Sequence, residues 1–212
     1  MRTKLRIGVT GFEVGLASTP GAAVDLEEQS MTRIRGDHEE AIAGAGLTGL
    51  LFVQIVIGYE WLVSGVTKLW RGGFATGLAG ELRDKSKGVA TWYKGFLNNV
   101  VIPHGWAVGW IVLVAEILIG VALIVGAIVW LARWSRLPVT TRQVLLGIVT
   151  IAAIGAIILN VSFHLANGAP HPWLIPKAGF DEGVDLDSLM PFVEAVLVVA
   201  NLRFLAILRS RD

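Results

Sequence analysis

Four stretches of this chain are apolar for long enough to cross a lipid bilayer. They lie at about 46–67, 107–132, 143–163 and 189–208. A hydrocarbon core needs roughly 20 apolar residues of helix. Only helices or closed barrels satisfy their backbone polar groups there. Four such runs in 212 residues argue against the buried helices of a soluble bundle. The composition agrees: 54% of residues are apolar, 17% are charged and the mean hydropathy is +0.64. The expected fold is an all-α integral membrane protein, a bundle of four transmembrane helices. The net charge of +1 supplies no basic field for nucleic acid, and none is expected as a partner. Cysteine is absent, which excludes disulfides, thiolate zinc and cysteine-held iron–sulfur clusters on this chain. The 25 glycines suit closely packed membrane helices.

Residues 1–44 differ from the rest. They hold seven acids and five bases and little helical apolar periodicity. Glu13 interrupts the weak apolar stretch that could be mistaken for a signal peptide. We read 1–44 as a soluble N-terminal arm and 45–212 as the membrane domain. With four spans, both termini and the 133–142 loop share one side. That side carries Arg2, Lys4, Arg6, Arg33, Arg35, Arg133, Arg136, Arg142, Arg203, Arg209 and Arg211. The other carries Lys68, Arg71, Arg83, Lys85, Lys87, Lys94 and Lys177. Eleven against seven predicts cytoplasmic termini in a multi-pass protein of the cell membrane. Trp61, Trp70, Trp106 and Trp110 are then expected in the outer aromatic belt, and Trp130 and Trp134 in the inner one.

The outer connection 68–106 is long. Leu78, Leu82, Val89, Trp92, Tyr93, Phe96, Leu97 and Val100 recur mostly at three- and four-residue steps, with Lys85, Lys87 and Lys94 among them. This predicts an amphipathic interfacial helix, which either covers the mouth of the bundle or simply anchors it. Gly72–Gly73 reads as a turn after span one. Asp187 or Ser188 is expected to cap span four, with Pro191 in its first turn.

Ionisable groups within spans are costly, about 2.5–3.5 kcal/mol each on insertion scales. Glu60, Glu116 and Glu194 are such groups. From a rise of about 1.5 Å per residue they lie roughly 10, 13 and 8 Å from the outer ends of their spans. Asn160, Ser162 and His164 sit at the outer end of span three. Polar groups therefore gather in one half of the membrane, and the other half holds little beyond Gln54 and Asn201. Glu60, Ser64 and Lys68 share one stripe of span one, and Asn160 and His164 share a face of span three. Turned inward, these faces enclose a polar pocket. Two acids, an amide, an imidazole and an ammonium suit a quinone head group and its protons. The plainer readings are structural: Glu116 bonded to Asn160, Lys68 paired with Glu60, and Glu194 snorkelling near the interface. The four histidines lack the one-face spacing of a helical zinc site, and the acids at 181–187 do not match a calcium loop, so no metal or haem is expected.

The GYEWLVSGVTKLWRGGF stretch, an outer segment containing GFLNNVVIPHGW and a second span with a central Glu together resemble the DoxX family, and more narrowly its DoxD-type membrane subunits of thiosulfate:quinone oxidoreductases. The resemblance covers about residues 45–208. It implies a four-helix membrane protein tied to quinone and to sulfur oxidation or another redox complex. Its functional residues fall on Glu60, Lys68 and Glu116, with Ser64 and Arg71 beside them and Asn160 and His164 added by depth. Lys68 and Arg71 are expected to attract an anionic substrate at the outer mouth. Two functions of different class follow. One is a redox subunit passing electrons from a reduced sulfur compound or a partner protein to quinone. The other is a structural or assembly subunit of a larger respiratory or photosynthetic complex. Glu60, Glu116 and Asn160 should face a common cavity in the first and dry interfaces in the second. Nothing resembling inverted repeats or broken helices favours a small-solute transporter.

Overall fold

The computed structural model describes residues 20–85, 88–167 and 186–210, with side chains described for 44–85, 88–167 and 188–210. Among these the chain is helical and strand-free. The helices are α1 (Pro20–Arg71), α2 (Phe74–Lys85), α3 (Thr91–Phe96), α4 (Gly105–Arg133), α5 (Val139–Ala166) and α6 (Leu186–Arg209). A π-helical turn (Leu97–Val101) follows α3, and a 3-10 turn (Trp134–Arg136) follows α4.

Two compact units are present, Met1–Gly46 and Leu47–Asp212. Of the first, residues 1–19 lie outside the described residues, and α1 begins at Pro20. The arm, read from the sequence as soluble and without amphipathic periodicity, is helical from Pro20 onward. Its Ala, Glu, Met and Arg residues are good helix formers without apolar periodicity, and Pro20 is preorganised for a first helical position.

Four helical segments are long and apolar enough to span a membrane: Gly44–Arg71, Gly105–Arg136, Val139–Ala166 and Ser188–Arg209. Their outward faces are apolar, as Val56, Ile111, Leu118, Ile151, Ile158 and Val196 illustrate. Lipid is the environment these faces suit, so the protein is a multi-pass membrane bundle. Where helices meet, small residues allow close approach. A Cβ on Gly120 of α4 would lie 2.5 Å from the Leu62 nitrogen and 2.7 Å from the Gly58 oxygen of α1. The core between them holds Ile57, Trp61, Leu123, Val149, Ala153, Ala156 and Leu197.

The connection after α1 is two helices rather than one. Gly72 and Gly73 adopt φ of 67° and 78°, a left-handed turn that favours glycine, and send the chain into α2. Ala75 and Ala79 of α2 pack against Gly109 and Gly105 of α4. Leu82, Val89, Tyr93, Leu97 and Ile102 form their own cluster, joined by Leu165 and Ala166 of α5. The Tyr93 hydroxyl donates to the Ser162 carbonyl at 3.1 Å. Of the two arrangements expected for this segment, it is the one packed on the end of the bundle. The opposite end is closed by the α4–α5 turn. There Arg142 donates to the carbonyls of Leu137 (2.9 Å) and Ser135 (3.2 Å), and Trp130 stacks on Trp134 at 3.7 Å.

Several local expectations change. The segment 168–185 and the side chains of the acids 181–187 lie outside the described residues, as does the side chain of His38. Because α6 starts at Leu186, neither Asp187 nor Ser188 precedes it as a cap, and Pro191 lies one turn further in. Trp70, Trp106 and Trp110 are exposed as belt residues should be, but Trp61 is only 2% exposed. It points into the bundle because one residue of helix rotates it about 100° from its neighbour Glu60.

Candidate functional site

A cavity of 520 Å³ lies at the α2 end of the bundle, between α1, α2 and α5. Glu60, Trp61, Ser64 and Lys68 line it from α1, and Asn160 and Phe163 from α5. The spacing of three, four and seven from residue 61 or 60 puts these α1 groups along one stripe. Phe74, Leu78 and Glu81 close it from α2, beside the bare backbone of Gly73 and Gly77. A Cβ on either glycine would meet nothing within 4 Å, so the wall they form borders open space. At the rim Lys85 pairs with Glu81 at 3.0 Å and donates to Asn167 Oδ1 at 3.3 Å. That contact ties α2 to the end of α5.

Two carboxyls stand directly behind this wall. Glu116 of α4 has no exposed surface. Its Oε1 accepts from Lys68 Nζ in an ion pair, and its Oε2 accepts from Ser64 Oγ at 3.4 Å. Lys68 also lies between two rings, 4.9 Å from the centre of Phe74 and 5.3 Å from that of Phe163. The ammonium is thus held by charge on one side and by π faces on two others. Glu194 of α6 is equally buried. Its Oε1 accepts from Trp61 Nε1 at 2.9 Å and Asn160 Nδ2 at 3.0 Å. Its Oε2 has no hydrogen-bond partner among the described residues. Glu60 is near enough for its charge to act on Glu194.

The structure thus gathers Glu60, Ser64, Lys68 and Asn160 around one cavity. Glu116 reaches it only through Lys68 and Ser64. His164 is buried elsewhere on α5, its Nδ1 2.8 Å from Ser188 Oγ of α6. It lies four residues from Asn160, but the helix end carries it past the cavity toward α6. Arg71 is exposed at the end of α1, just before the Gly72–Gly73 turn, and does not line the cavity. Asn160 bonds Glu194 rather than Glu116, and Lys68 bonds Glu116 rather than Glu60. Lys68 is two turns, about 12 Å, from Glu60 along α1, whereas α4 crosses α1 within side-chain reach. Glu194, for which snorkelling was the plainer of two readings, is held inward by two N–H donors.

Sequence reasoning left Trp61, Phe74, Phe163 and the α2 wall out of the site. One signal was present for Phe163, which is three residues from Asn160 and so shares its side of α5. The amphipathic pattern of 68–106 offered a cover for the mouth of the bundle as one of two readings, but did not say which residues of α2 would line the cavity.

Compared with protein-family models, curated proteins and solved structures, the chain matches none.

Proposed function

We propose that this protein is a quinone-linked subunit of a membrane redox complex, of the DoxX type, and that the cavity beside α2 receives the quinone head group. One observation carries the reading: a cavity of 520 Å³, within the range of about 300–1,000 Å³ usual for small-molecule sites, has polar groups from two spans on its wall and two buried carboxyls behind it. Lys68, Ser64 and Asn160 bring N–H and O–H groups suited to ring carbonyls. Trp61, Phe74 and Phe163 provide flat apolar surface for the ring. Glu60 on the wall, and Glu116 and Glu194 one hydrogen bond behind it, are placed to take up or give back protons. The bound quinone supplies the two-electron, two-proton chemistry, with electrons from a reduced sulfur compound or a partner protein. In this reading the termini are cytoplasmic, the cell membrane is the site of action and the cavity opens outward.

A specific observation favours a second reading. Both carboxyls join helices: Glu116 joins α4 to α1, and Glu194 joins α6 to α1 and α5. A structural subunit needs no more than that. Purification in mild detergent, with mass spectrometry of bound lipids and co-purifying chains, separates the two. The redox reading expects stoichiometric quinone, retained by the wild type and lost on Gly77→Leu, which adds bulk to the cavity wall at a position where a Cβ meets nothing within 4 Å. Partner chains without quinone on the wild type would overturn it.

A further inference from the structure

A second, smaller hollow of 130 Å³ lies on the lipid-facing side of the same turn. Its walls are largely apolar, with Leu69, Phe74, Ala75, Trp106, Trp110 and Leu113 around it. Trp106 and Trp110 are exposed at the first turns of α4, the level at which aromatic residues meet the membrane interface. The hollow and the large cavity share Lys68, Gly73 and Phe74. The two hollows thus meet at a lysine held by Glu116, a phenyl ring and a glycine with open space beside it.

We infer that this groove is a tail subsite: it passes the hydrocarbon tail of the ligand whose head group occupies the large cavity, so that the protein takes a membrane-confined, long-tailed quinone directly from the lipid. The inference rests on the function proposed above and adds the ligand class. A ring held against Lys68, Phe74 and Phe163 has its substituent beside Gly73 and Phe74, which also line the groove. The occupant is argued from continuity with the cavity, from apolar walls on the lipid side, and from the polar character that stops at Lys68. A soluble, tail-free quinone would need no such exit.

The test fills the groove and leaves the cavity alone. Leu69 is half exposed and lines only the groove, so Leu69→Trp adds bulk without disturbing the core. Thr76→Phe does the same from α2. Equilibrium binding to the full chain in detergent is measured with a dimethoxy-methyl-benzoquinone carrying either no tail or a decyl tail. The expected result is a loss of at least about tenfold in affinity for the tailed compound in both variants, with the ring-only compound unchanged. Equal effects on the two compounds, or no effect on either, would overturn the tail subsite while leaving the head-group site standing. Failure of the unaltered protein to bind either compound would instead remove the proposed function, and the subsite with it.

Discussion

The two ends of the bundle solve the same packing problem with different chemistry. At the α4–α5 turn end, helices meet through stacked tryptophans, leucines and an arginine that satisfies two carbonyls. At the α2 end, helices are joined by carboxyls that reach across to a lysine, a serine, an indole and an amide, and a cavity remains. Apolar packing alone would have been the less costly way to close that end, since buried ion pairs are often matched by well-packed apolar residues. The polar half is thus built around its space, and the apolar half around its contacts.

The comparison is broken most severely at Lys68. Lys68→Met leaves Glu116 buried without its cation, and breaking a buried pair typically costs about 3–5 kcal/mol. Thermal unfolding in detergent should show that loss, and adding Glu116→Gln should restore much of it. If the double variant is no more stable than the single one, the pair is not what joins α1 to α4. In the apolar half, Leu123→Ala should cost about 2–3 kcal/mol. That is the lower part of the usual range, because lipid rather than water is the alternative to packing. Ligand binding measured on the same variant should stay unchanged. Gly120→Ala probes the crossing below the site, where the new Cβ would press on Leu62 and Gly58. Overpacking of this kind costs about 1–3 kcal/mol. Gly77→Leu should act in the opposite sense, with stability held or raised by up to about 1 kcal/mol as glycine leaves a helix, while cavity occupancy is lost.

The smallest effect is expected at Tyr93, outside the spans. Burial raises its phenol above the ordinary value of 10.0. A raised acid favours the protonated form in the fold. Its contribution is therefore complete below the ordinary value and is lost as pH climbs through the raised one. Tyr93→Phe should cost about 1 kcal/mol at neutral pH. It should also remove that part of the alkaline loss of stability, read from unfolding curves at neutral and alkaline pH.

Depth was legible in the sequence, and rotation was not. Hydropathy placed Glu60, Lys68, Glu116, Asn160 and Glu194 near one end because the count of residues from a span's end fixes height. The stripe of Glu60, Ser64 and Lys68 followed from helical spacing within one element, as did the Gly72–Gly73 turn. Pairing across helices depends on how each helix is turned about its own axis. An apolar run is uniform around that axis, so the sequence carries little record of it. Hence Trp61 reads as a belt residue and Glu194 as a snorkelling acid, although each is the other's partner. The placement of α2 over the cavity depends on alanines meeting Gly105 and Gly109, a fit between segments 30 residues apart.

The Lys68–Glu116 pair has a consequence for biogenesis. A membrane-inserting segment presents its side chains to lipid before later helices exist, and α4 carries an acid near its middle. On its own that acid adds about 2.5–3.5 kcal/mol to the cost of entering the bilayer. The cation that neutralises it lies near the end of α1, the preceding span, and the long connection between the two carries α2, which packs on α4. Insertion of α4 is therefore expected to be less costly when α1 is already present to offer Lys68. The ion pair that shapes the cavity wall in the finished protein would then also lower the cost of bringing α4 into the bilayer.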